Sequence, residues 1–207
     1  MGALAALYLG LSLARAEPPV ISVSAEPSDV VSLYQEAARE AGLEGAALLP
    51  ACKQWSGFFY MCFMVEEAER RRLVHLGDLS AWGTNLDELE KQAREAGKVV
   101  LAEGRSRKVE VEGISAPYWA FDQGDGWDAS ILFFPEQLQA LLGGEPVLAV
   151  PSRGLVIAWI PGQPELDQVV TVGVHRIYEQ SEQPISPVVV HWTGKAWSRW
   201  GEARPRP

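Results

Sequence analysis

Apolar positions along this chain change their period several times, and each change marks a predicted element. Val30, Leu33, Tyr34, Ala37, Ala38 and Ala41 recur at helical steps, with Ser28 placed to cap the start and Gly42 to end it. That spacing predicts an amphipathic helix burying this stripe. Residues 57–65 form an aromatic-rich apolar run that predicts a buried strand, with a second near residues 73–76. Asn85-x-x-Glu88 is a capping-box signature, and Leu86, Leu89, Ala93 and Ala96 supply the next helix with an apolar face. Gly97 is placed to close that helix. Residues 98–102 and 108–111 flank a Gly-Arg-Ser-Arg turn and predict a hairpin.

Beyond Tyr118 the alternation tightens. Residues 118–121 and 129–134 read as strands about the loop 122–128. Pro135 opens a short helix carrying Leu138, Leu141 and Leu142, stopped by Gly143-Gly144. Residues 147–150 and 155–160 form a tight pair about Pro151-Ser152-Arg153-Gly154. A last helix, residues 165–180, gathers Leu166, Val169, Val170, Val174, Ile177 and Tyr178 on one face. A hairpin of residues 188–192 and 196–200 closes the pattern about Thr193-Gly194-Lys195. Together these predict an α+β fold, a mixed, largely antiparallel sheet with helices packed on one face. Residues 17–203 read as a single domain, 204–207 as a loose tail, with no internal repeat or linker.

The start of the chain bears on where the protein works. Residues 2–14 carry no charge, and Ala14-Arg15-Ala16 places small residues where a signal peptidase inspects them. Residues 1–16 therefore read as a possible signal peptide, implying a periplasmic or secreted protein. The run falls short of the roughly 20 residues that span a bilayer, so no stable membrane span is expected. No Lys or Arg precedes it, which leaves a buried first element of a cytoplasmic protein as the competing reading. The two cysteines, Cys52 and Cys62, suit one disulfide in an oxidising compartment or two buried thiols. A net charge of −9 without a broad basic cluster argues against nucleic acid as a partner. Eight tryptophans are scattered from Trp55 to Trp200 and read as core and rim residues rather than a ligand cage.

One resemblance stands out. Asp125-Gly126-Trp127-Asp128-Ala129-Ser130-Ile131-Leu132, then Pro135, then the stretch from Gly143 to Arg153, resemble the YtpQ-like family of bacterial proteins of unknown function. Trp82-Gly83 and residues 86–93 also look like a helix of that family. Members commonly carry an acid after the Pro-Ser-Arg triplet, where this chain has Gly154. The resemblance implies a fold, a cytoplasmic setting at odds with the signal-like start, and no activity.

Candidate chemistry is sparse. The chain has no phosphate-binding glycine loop, dinucleotide fingerprint, nucleophile elbow or zinc-protease motif. Asp122, Asp125 and Asp128 stand three apart in a Gly-rich loop, which departs from calcium-loop spacing and suits turn geometry. Ser152 and Arg153 sit at a turn where a hydroxyl and a guanidinium are presented together. His75, His175 and His191 are the only imidazoles. His175 and Glu179 share a helix face, and His191 ends a strand from which it is placed to face Ser152 or Asp128. No metal or cofactor is expected. The leading expectation is a non-enzymatic binding or accessory protein for a protein or small-molecule partner, its site at Ser152, Arg153, Asp122, Asp125 and Asp128. The alternative is a hydrolase using Ser152 with His191, or the acidic loop.

Overall fold

The computed structural model describes residues 21–40, 42, 47–67, 70–102, 104–124 and 127–201. The signal-like segment 1–16, the tail 204–207 and Asp125 lie outside them. The class is α+β and every strand ladder among the described residues is antiparallel, but the strands divide between two sheets.

The smaller sheet is built on β3 (Phe59–Glu67). One edge of β3 pairs along its length with β1 (Ile21–Pro27). Its other edge takes β2 (Cys52–Gln54) and then β4 (Arg70–Leu73). Phe59, Met61, Phe63 and Val65 alternate into the main core, whereas Tyr60, Cys62 and Met64 project from the opposite face. Cys52 stands directly across from Cys62, and the two form a disulfide.

The larger sheet runs in the order β10-β9-β7-β8-β6-β5. Its strands are β5 (Ser106–Val109), β6 (Tyr118–Phe121), β7 (Val147–Ser152), β8 (Leu155–Trp159), β9 (Val189–Trp192) and β10 (Trp197–Arg199). Both faces are buried. Leu148, Val150, Val156, Ala158, Val190 and Trp192 enter the main core. Val147, Ala149, Ile157, Trp159 and Val189 meet Leu166, Val170 and Val174 of the last helix. The fully buried Trp159 donates its indole N–H to Asp167 at 2.8 Å, satisfying a polar group that burial otherwise penalises.

Among the described residues five helices can be bounded: α1 (Ser28–Glu40), α2 (Leu76–Trp82), α3 (Leu86–Ala102), α4 (Pro135–Leu142) and α5 (Pro164–Gln180). None of the described helices is long and apolar enough to cross a membrane. Asn85 caps α3 as its sequence predicts, its Oδ1 accepting the Asp87 and Glu88 amides at 3.0 Å.

Four local expectations are corrected. Residues 129–134 are not a strand: Asp128–Phe133 is a 3₁₀ segment with every residue buried, Ala129, Ile131, Leu132 and Phe133 in the main core. A short run that is apolar apart from Ser130 has no period that separates the two. Gly97 does not end α3, which continues to Ala102 through the residues read as a hairpin arm, leaving β5 to pair with β6 alone. The glycine serves packing instead, since a Cβ there would lie 2.3 Å from Phe134 Cζ. On α1, Val31 is buried while Leu33 and Tyr34 are 65% and 49% exposed, so the buried stripe is rotated from the one expected. On α5, Val169 likewise faces outward, although Leu166, Val170 and Val174 are buried as expected.

Candidate functional site

The loop 122–124 and the β7–β8 turn do come together: Gly124 Cα lies 4.0 Å from where a Gly154 Cβ would stand. Their charged side chains are engaged in holding structure, and Ser152 is held through its backbone. Arg107 donates to Asp122 at 2.6 Å. Asp128 is buried, and its two oxygens accept the amides of Gln123 and Gly124 at 3.1 and 2.9 Å. Arg153 donates to Glu26 at 2.7 Å. Ser152 pairs with Leu155 and bridges to Pro184.

The Ser152–His191 pairing of the hydrolase reading is not assembled. His191 stands opposite Val147, five residues from Ser152 along β7, a separation of roughly 16 Å at strand rise. Its β9 neighbours Val190 and Trp192 enter the core that holds the 3₁₀ segment, so alternation turns His191 away from Asp128. The imidazole is buried, with Nε2 3.8 Å from Glu145 and the ring 5.5 Å from that of Trp200. His75 precedes α2, where Asp78 accepts its amide at 2.8 Å, and His175 and Glu179 are exposed on α5. Among the described residues no three His, Cys, Asp or Glu side chains are grouped to hold a metal ion.

The more developed site lies elsewhere, at residues the sequence reading treated as core. A cleft of about 400 Å³ opens between the turn after β2 and the β9–β10 hairpin. It is lined by Trp55, Arg94, Glu136, Trp192, Lys195 and Trp197, among others. Each wall is fixed to the buried 3₁₀ segment. Trp55 packs its edge against Phe133, ring centroids 5.2 Å apart and planes at 87°. Trp197 donates its indole N–H to the Leu132 carbonyl at 3.0 Å and leans on Trp192 at 5.4 Å.

Electrostatics hold the Trp55 wall. The Arg94 guanidinium lies 4.8 Å over the Trp55 ring, donates to the Phe133 carbonyl at 3.0 Å and pairs with Glu90 at 2.9 Å. Lys53, in β2, donates to Glu90 at 2.6 Å and to Asp87 at 2.9 Å. Burial alone raises the Glu90 carboxyl, but hydrogen bonds from Lys53 and Arg94 outweigh it and hold its pKa below the usual range. The hydrogen bond to Glu90, helped by that to Asp87, raises the Lys53 ammonium in turn. Two cations and two acids thus balance behind the indole. At the cleft itself Glu136 and Lys195 are exposed, without hydrogen bonds or ion pairs to other described residues.

Only proximity in three dimensions reveals this cleft. Trp55 and Trp197 are separated by most of the folded chain, and no local spacing joins them. With the walls in place, the site's function rests on its own chemistry: the chain matches no protein-family model, and no curated protein or solved structure is significantly similar to it.

Proposed function

We propose that this is a non-enzymatic binding protein whose ligand seat is the tryptophan-lined cleft. The observation that carries the reading is the convergence of Trp55, Trp192 and Trp197 on one cleft beside Lys195 and Glu136. Its volume falls in the range of about 300–1,000 Å³ typical of small-molecule sites. Indole rings offer flat apolar surface at low entropic cost, while the flanking charges select for polarity. The ligand this suits is a small molecule with one flat apolar part and hydrogen-bond acceptors. Lys195 supplies a donor at the cleft and Glu136 an acceptor, and the indole N–H groups of Trp55 and Trp192 have no acceptor among the described residues.

Export is part of the same proposal, supported by the uncharged run of residues 2–14 and by the disulfide. N-terminal sequencing of the native protein tests it. Kinship with the YtpQ-like family is proposed on the residues that carry that resemblance.

Titration with anilinonaphthalene sulfonate, a flat apolar probe bearing acceptors, tests the site. The expected result is saturable binding at one equivalent, lost in Trp55→Ala and weakened in Lys195→Ala. Displacement by aromatic carboxylates or by saccharides then separates the ligand classes. Binding that survives both substitutions, or no saturable binding at all, defeats the reading.

A further inference from the structure

The cleft's Trp55 wall hangs from a short piece of chain. Trp55, Ser56 and Gly57 follow β2 directly, and β2 is three residues long with β3 as its one ladder partner among the described residues. Across that ladder the disulfide Cys52–Cys62 closes the loop that carries the wall, at a sequence separation of 10. Within the loop, the Trp55 and Ser56 amides donate to the Phe59 carbonyl at 3.0 and 3.2 Å. The covalent link is the tether that water cannot compete away.

Cys62 projects from the face of β3 opposite to Phe59, Met61 and Phe63 and, although only 1% exposed, belongs to neither hydrophobic cluster. Cys52 is half-buried on β2, so a reductant reaches the bridge from the Cys52 side rather than from Cys62. Core and clamp are therefore separable. We infer that the oxidation state of the Cys52–Cys62 pair governs whether the cleft is formed, so that an external dithiol opens it while the fold persists. This inference rests on the cleft being the binding site.

In that step a thiolate of the dithiol attacks one sulfur of the pair, the S–S bond breaks, and the other cysteine leaves as a thiolate that takes up a proton. The dithiol's second thiol then displaces the first cysteine. Two electrons and two protons pass to the protein, giving two thiols, and the reductant becomes a disulfide. Oxidation by a small-molecule disulfide reverses the exchange.

Hydrogen exchange on oxidised and dithiol-reduced protein tests the clamp without any ligand. Reduction is expected to speed exchange of the Trp55 and Ser56 amides about tenfold or more, leaving Leu148 and Val156 in the large sheet protected. Binding of anilinonaphthalene sulfonate falls in parallel, and Cys52→Ser/Cys62→Ser reproduces both effects without reductant. Unchanged exchange at Trp55 and Ser56 overturns the inference. So does loss of protection throughout the molecule, which makes the bridge a requirement of folding. Oxidised protein that never binds the probe sinks the binding reading separately, and the exchange contrast still decides the clamp.

Discussion

Arg153 reaches the carboxylate of Glu26 across 127 positions of sequence, Nη2 to Oε1 at 2.7 Å. The contact joins the β7–β8 turn of the large sheet to β1 of the small one. Glu26 is 7% exposed, so its charge depends on partners within the protein. Arg153→Ala is expected to destabilise the fold by about 1–3 kcal/mol in chemical denaturation, and Ser152→Ala by less than about 0.5 kcal/mol. Equal effects at the two positions contradict a bridging role for Arg153.

Gly97→Ala sets helix propensity against packing. In an open helix the change stabilises by about 1 kcal/mol. Here the new methyl meets the Phe134 ring, and net destabilisation of about 1–3 kcal/mol is expected. Phe134→Leu in the same chain relieves part of it. A stabilised single variant means the ring moves aside freely.

Two neighbouring valines on α5 give a cleaner contrast. Val170 is 5% exposed and packs under the large sheet, whereas Val169 is 49% exposed. Val170→Asp buries an unpaired charge and is expected to cost about 3 kcal/mol or more, enough to unfold a marginal domain. Val169→Asp stays within about 0.5 kcal/mol. Similar melting of the two variants places the helix face wrongly. The half-buried Ile177 lies on the same face as Val170, so Ile177→Asp acts in the same direction.

Acid should loosen the Trp55 wall. Hydrogen bonds from Lys53 and Arg94 hold Glu90 below its usual pKa of 4.5, and the Arg72 hydrogen bond lowers Asp78 likewise. A depressed carboxyl contributes stability above its unfolded pKa and loses it as pH falls through the folded value. Stability is thus expected to decline below about pH 4.5, with Glu90→Gln flattening part of that limb and Asp78→Asn another part. An acid limb identical to wild type in Glu90→Gln refutes the assignment.

The sequence disclosed what local rules govern. Asn85 as a cap, Pro135 at a helix start, the β7–β8 pair and the closing hairpin all follow from turn chemistry and short-range period. It was silent where tertiary contact decides. Gly97 looks like a stop until Phe134 is seen above it, and Leu33 looks buried until Val31 is seen to take the contact. The candidate loops lie together at Gly124 and Gly154, yet their charges are spent on Glu26, Arg107 and backbone amides. Trp192 and Trp197 face each other across the predicted closing hairpin, but no local signal joins Trp55 to them, so the meeting of all three was invisible in one dimension.

The 3₁₀ segment that fills the interior also holds both cleft walls, through Phe133 beneath Trp55 and the Leu132 carbonyl on Trp197. On the binding role proposed for the cleft, taste for a ligand is therefore welded to the capacity to fold. Over evolutionary time, new preferences would arise most readily at Glu136 and Lys195 on the rim, whose replacement leaves the interior undisturbed.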